Sequence, residues 1–237
     1  MTAPVVEITL SGPGRNALGS EVMQGLLAQL ERAGREPVLL GGAGGTFSAG
    51  LDLKEVAALD RPGMERFLDL LEQLVERLYL HPGPTVACVD GHAIAGGCVL
   101  ALCCDHRVAA SRPDIRIGLN EVALGLEFPP KLFRVVRRRV APRALERVLL
   151  EAGLHDPRTA LELGLVDELA DDAPTVARAR LARLAAHPRE AYEATKRALR
   201  AGVCDLTAAE EHRFREELVP AWCTPAVKAR VRAVLKR

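Results

Sequence analysis

The spacing of apolar positions changes several times along the chain, and each change predicts an element. Val5 to Leu10 alternates apolar and polar residues and predicts a strand. From Ser20, the positions Val22, Leu26, Leu27 and Leu30 share one face of a helix, with Ser20 as the expected N-cap and Gly34 as the stop. Pro37 to Leu40 reads as a short strand that runs into a glycine-rich turn, Gly41 to Gly50. A short helix follows from Asp52 to Leu59, with Asp52 in the first turn, where a carboxylate suits the helix dipole. Met64, Phe67, Leu68, Leu71, Leu74, Val75 and Leu78 then recur at helical spacing. His81-Pro82-Gly83-Pro84 stops that helix, because proline neither donates to the backbone ladder nor tolerates the preceding turn.

The apolar run Thr85 to Val89 predicts a buried strand, and a second glycine turn follows in DGHAIAGGCVL, Asp90 to Leu100. The almost wholly apolar stretch Cys98 to Cys104 continues it as a buried helix. Cys104 to Ala110 and Ile115 to Ile117 read as further strands, and Gly118 to Glu121 as a turn. From about Pro130 the pattern becomes helical, over 131–140, 142–152, 157–164, 174–187, 189–200, 207–218 and 225–236. Pro142, Pro157, Pro174, Pro188 and Pro225 sit at or near the starts, where a missing N–H does no harm. Repeated β/α units followed by helices place the chain in the α/β class. The expected division is a core over 1–175 and a C-terminal helical region over 176–237.

Composition narrows this picture. The chain has 237 residues and is 49% hydrophobic but only 3% aromatic, so Leu, Val and Ala must fill the core. No apolar run reaches about 18 residues, which predicts no membrane span. The opening MTAPVVEITL lacks a basic stretch followed by a long apolar one. The six cysteines lack paired spacings, and Cys98, Cys103 and Cys104 sit among apolar residues. Together these predict a cytoplasmic protein with reduced thiols. The net charge of +1 argues against a nucleic-acid partner. Residues 1–130 carry 10 Lys/Arg against 16 Asp/Glu and residues 131–237 carry 22 against 15; most of the second half's charges read as solvated helix faces, while the basic excess could attract phosphates on a ligand.

The motifs leave several chemistries unsupported. Gly12-x-Gly14-x-x-Ala17 formally fits a dinucleotide fingerprint, but Pro13 removes a backbone donor and no acidic residue ends a second strand at the right distance. No P-loop lysine, HExxH, nucleophile elbow or CxxC pair is present, and no metal site is expected. What remains is two turns rich in free N–H groups and a few carboxylates. Two backbone donors converging on a carbonyl oxygen would stabilise an enolate, each by about 3 kcal/mol in other enzymes. An enolate needs a base, and Glu121, set among apolar neighbours in IGLNEVALGL, is the candidate. On spacing alone, Glu121 could equally cap the following helix or pair with an arginine.

Five stretches, in order, carry a resemblance: GRNALGSEVM at 14–23, GGAGGTFSAGLDLKEV at 41–56, DGHAIAGGCVLALCCDHRVAA at 90–110, IGLNEVALGL at 117–126 and DPRTALELGLVDEL at 156–169. Over about 10–200 the chain resembles the crotonase (enoyl-CoA hydratase/isomerase) superfamily. The resemblance implies a β/β/α spiral core with a C-terminal helical region and assembly as trimers or dimers of trimers. It implies an acyl-CoA substrate and no separate cofactor. It also implies an oxyanion hole from the backbone N–H groups of Leu51 and Gly96, with Glu121 as catalytic carboxylate. Phe47, Ala49, Asp52 and Lys54 become candidates for the CoA end, and Lys196 or Arg197 for a CoA phosphate. Hydratases of the family resemble one another in having two glutamates. The first falls here on Val99, so the pattern looks like a Δ3,Δ2-enoyl-CoA isomerase, whose 1,3-proton shift needs one base. A hydratase or other enolate-forming lyase using Glu127 as a second carboxylate is the alternative, as is a member whose site has decayed to binding alone. Phe214 and Trp222 read as packing or subunit-contact residues.

Overall fold

A computed structural model describes residues 5–235. Among these residues eight strands occur in chain order: β1 (Val6–Leu10), β2 (Val38–Gly42), β3 (Thr46–Ser48), β4 (Thr85–Val89), β5 (His92–Ile94), β6 (His106–Ala110), β7 (Ile117–Gly118) and β8 (Glu168–Ala170). They form a five-stranded sheet of order β1-β2-β4-β6-β8 and a three-stranded sheet of order β3-β5-β7. Every pairing between these strands is parallel, for example Val6 on Val38 and Val86 on His106 in the large sheet, and Ala93 on Ile117 in the small one.

The parallel arrangement explains why the strands read as apolar runs: both faces are covered, and all five residues of β4 are buried. The chain advances as a spiral. Each turn lays one strand in the large sheet and one in the small sheet, then a helix. So β2 and β3 lead to the helices Leu53–Ala58 and Arg61–Tyr79, β4 and β5 lead to Gly96–Cys103, and β6 and β7 lead to Glu121–Leu124. The first turn has only a single bridge, Leu18 to Leu51, in place of its small-sheet strand. This is the β/β/α spiral that the resemblance implied.

Met64, Phe67, Leu68, Leu71, Leu74, Val75 and Leu78 of Arg61–Tyr79 are each at most 1% exposed, as their periodicity requires. Helix Ala173–Ala185 crosses the expected boundary at 175/176 and packs on β2, β4, β6 and β8, so the tail is continuous with the core. Of the proline-led helices, Pro130–Arg139, Pro142–Leu150, Pro157–Glu162 and Pro225–Val234 begin on proline itself. Residue 236 of the expected last helix lies outside the described residues. The expected 207–218 helix is instead Ala208–Arg213, a π-helical turn at Phe214–Leu218 and a final turn at Val219–Trp222. Ser20 is not an N-cap. Gly19 holds that position, and the Glu55 carboxylate accepts from the Ser20 backbone N–H at 2.9 Å and from its hydroxyl. A carboxylate from another helix thereby caps Ser20–Ala33. No helix among the described residues is long and apolar enough to cross a membrane.

Candidate active site

The first glycine turn carries Leu51 past the end of β3. The Leu18 N–H donates to the Gly50 carbonyl at 2.7 Å, and the Asp52 N–H donates to the Leu18 carbonyl at 3.2 Å. Leu18 therefore occupies the groups on either side of Leu51, and the Leu51 N–H points the other way. It has no acceptor among the described residues. The path requires Gly50, whose φ is +91° and where a Cβ would lie 2.9 Å from the Ile94 carbonyl. Asn16 clamps the turn from beneath: its Nδ2 donates to the carbonyls of Ala43 (2.9 Å) and Thr46 (2.7 Å). The Ser48 hydroxyl donates to the Asn16 carbonyl at 2.8 Å and accepts from the Gly50 N–H at 3.2 Å.

The second glycine turn leaves β5 through Ala95, which has φ 48° and ψ −120°, a conformation costing a residue with a Cβ about 1–3 kcal/mol. That twist starts the helix Gly96–Cys103, and the N–H of its first residue has no intrahelical partner. The two turns touch. A Cβ on Gly97 would sit 2.6 Å from the Ser48 carbonyl oxygen, and one on Gly50 would be 3.6 Å from the Gly96 nitrogen.

Glu121 enters from a third turn. It is the first residue of Glu121–Leu124, which follows β7 after Leu119 and Asn120. Its side chain is buried, and Oε2 has no hydrogen-bond partner among the described residues. Burial pushes its pKa from 4.5 up to about 8, with only its own backbone N–H opposing. No arginine or lysine pairs with it among the described residues.

Leu51, Gly96 and Glu121 line one cavity of about 270 Å³. Its walls are otherwise Leu, Ile, Ala, Val, Phe and Pro side chains, with Asn120 and Trp222 the remaining polar-capable residues. Asn120 Oδ1 is also buried and unpartnered. Two donors, one desolvated carboxyl and an apolar surround can polarise a carbonyl and move a proton beside it.

Ala49 also lines this cavity. Asp52 instead caps its own helix, accepting from the N–H groups of Lys54 (2.9 Å) and Glu55 (3.3 Å), and the Lys54 side chain is exposed. Phe47 is 0% exposed, so its ring is core and only its backbone could meet a ligand. Lys196 requires correction. Its Nζ donates to the Gly83 carbonyl at 2.8 Å and to Asp105 at 2.7 Å, lining a separate groove. Asp105 also takes Arg200 at 2.6 Å, the Tyr192 hydroxyl at 2.9 Å and the Thr85 N–H at 2.7 Å. Burial alone would raise the Asp105 pKa, but the charges of Lys196 and Arg200 outweigh it and hold it low. Desolvation in turn pulls Lys196 down to about 8. Lys196 is thus a structural ion-pair partner, and the neighbouring Arg197 is exposed. Glu127 is corrected too: its carboxylate pairs with Arg213 outside the cavity. Val99 is fully buried in the core. Beyond the residues singled out in the sequence, the structure brings Asn16 beneath the first turn and Asn120 and Phe128 to the cavity, and it sets Trp222, expected as a packing residue, in the cavity wall. Asn16 had a signal in the quoted GRNAL stretch.

A family model described as enoyl-CoA hydratase/isomerase matches residues 1–223. The chain is 32% identical over 210 residues to the Mus musculus protein named enoyl-CoA delta isomerase 1, mitochondrial, covering 86% of this chain and 73% of the relative. It is 37% identical over 175 residues to a putative enoyl-CoA hydratase of Thermus thermophilus, covering 70% of this chain and 68% of that one. The crystal structure of human mitochondrial delta3-delta2-enoyl-CoA isomerase superposes with a TM-score of 0.92 at 27% identity, covering 100% of this chain and 96% of that one. One expectation falls here. The mouse and human relatives are named as mitochondrial, so the cytoplasmic placement does not stand. The six cysteines are free and mostly buried among the described residues, which does not report a compartment.

Proposed function

The chain belongs to the enoyl-CoA hydratase/isomerase family, and we propose that within it the protein is an enoyl-CoA isomerase with Glu121 as its single base. The observation that carries this reading is an apolar cavity in which Glu121 is the one carboxyl among the described residues, and which Leu51 and Gly96 also line. A 3-enoyl-CoA would place its thioester oxygen between those two donors. Glu121 takes a proton from C2, the C2–H electron pair forms the enolate, and negative charge gathers on the oxygen where the donors hold it. The double bond moves to C2–C3 as Glu121 returns the proton at C4. Addition of water would need a second group to hold the water, and the hydratase position is filled by Val99, which is 0% exposed. The CoA end lies toward Ala49, Asp52 and Lys54 in this reading.

Glu121→Gln tests it. The amide keeps the shape and loses the base, so kcat for a 3-enoyl-CoA should fall by about 10²–10⁴ while acyl-CoA affinity stays within about threefold. Turnover near that of the wild type would sink the proposal. Assembly as a homotrimer or dimer of trimers belongs to the same reading and is supported by the exposed Val122, Leu150 and Leu161. Light scattering should give three or six times 25.5 kDa.

A further inference from the structure

The residues that line the cavity differ in exposure. Leu154 and Val234 are each 39% exposed, whereas Leu71, Leu132 and Trp222 are 1%, 3% and 2% exposed. An apolar tail entering past the exposed residues comes to rest against the buried ones, since that is where its surface leaves water completely.

Trp222 is held there by two linked contacts. Its indole N–H donates to the Glu127 carbonyl at 3.0 Å, and the Glu127 carboxylate pairs with Arg213. Glu127 stands between Leu126 and Phe128, both of which also line the cavity. The tail of the chain and the facing wall are therefore fastened to one residue. Between Arg213 and Trp222 the backbone makes its π-helical turn, Phe214–Leu218, a geometry found frequently at functional sites. The Phe214 side chain faces another groove, so the chain passes from one cavity to the next across this turn.

We propose that Trp222, pinned to Glu127, is the end wall that sets the longest acyl chain the site accepts, and that this limit falls at about eight carbons. This rests on the acyl-CoA reading above. A cavity of about 270 Å³ lies at the small end of ligand pockets, which run from roughly 300 to 1,000 Å³, and so suits a short acyl chain.

The test uses saturated acyl-CoAs of four to fourteen carbons and calorimetry, which needs no turnover. Wild-type affinity should rise to about eight carbons and then fall. In Trp222→Ala the affinity for the twelve-carbon ligand relative to the eight-carbon one should rise at least tenfold, the scale of a methylene in an apolar pocket. Trp222→Phe, which keeps a ring in the core but loses the Glu127 tether, should shift the optimum in the same direction by a smaller amount and guards against loss of folding in the alanine variant. An unchanged ratio in Trp222→Phe, or wild-type affinity still rising at fourteen carbons, overturns the end-wall assignment alone. Failure of the wild type to bind any acyl-CoA overturns the functional reading and this one with it.

Discussion

Glu121→Gln isolates what burial of this carboxyl does to the fold, because shape is kept and only ionisation is removed. Burial raises the pKa of Glu121 from 4.5 to about 8. A raised folded-state pKa leaves stability intact below the unfolded value and erodes it as pH rises toward the folded one. Each unit is worth about 1.4 kcal/mol. The wild type should therefore lose ground to Glu121→Gln by about 1.4 kcal/mol per pH unit above 4.5, reaching about 3 kcal/mol at pH 7 and about 5 kcal/mol at pH 8 and beyond. Urea unfolding of both proteins at pH 5, 6, 7 and 8.5 measures the difference directly and cancels other titrating groups. The same carboxyl must be ionised to act, so wild-type kcat/KM should rise about tenfold per pH unit toward pH 8 and then level. A stability difference that stays constant from pH 5 to 8.5 would refute the argument, as would a flat kcat/KM profile.

The remaining predictions concern the scaffold around that carboxyl. Gly97→Ala places a Cβ 2.6 Å from the Ser48 carbonyl, which forces the two turns apart; kcat/KM should drop at least about 10²-fold with native circular dichroism. Asn16→Ala removes both donors to the Ala43 and Thr46 carbonyls, costing about 2–3 kcal/mol in urea unfolding and lowering kcat/KM in parallel. Lys196→Met leaves the Asp105 cluster short of a buried charge and should destabilise the fold by about 3–5 kcal/mol; acyl-CoA affinity measured by calorimetry should stay within about twofold. A tenfold loss of affinity in that variant would restore Lys196 as a CoA contact.

The sequence was readable where an element is long enough to show a period. Arg61–Tyr79 and the proline-led helices start within about a turn of where the pattern places them. The strands β3, β5 and β8 have three residues each and were hidden in turns or motifs, because three residues cannot show alternation. Yet β3 and β5 hold the two glycine turns together. The resemblance placed Lys196 near a CoA phosphate, whereas Tyr192, Lys196 and Arg200 recur every four residues as one stripe on Arg189–Arg200. The structure buries that stripe on Asp105, a partner more than 80 residues away. Trp222 read as packing and is packing, but the space it packs against is the cavity. Glu121 was legible as a carboxylate among apolar neighbours. That no cation reaches it depends on tertiary placement.

The central claim is that one base suffices for the reaction. The most direct measurement offers the wild-type protein a 3-enoyl-CoA and the matching 2-enoyl-CoA in separate reactions, and follows isomerised and hydrated products by chromatography. The account predicts isomerisation at least about 10²-fold faster than hydration, the scale contributed by a second positioned acid–base group. Hydration as fast as isomerisation would contradict it and would require a second group to hold the water.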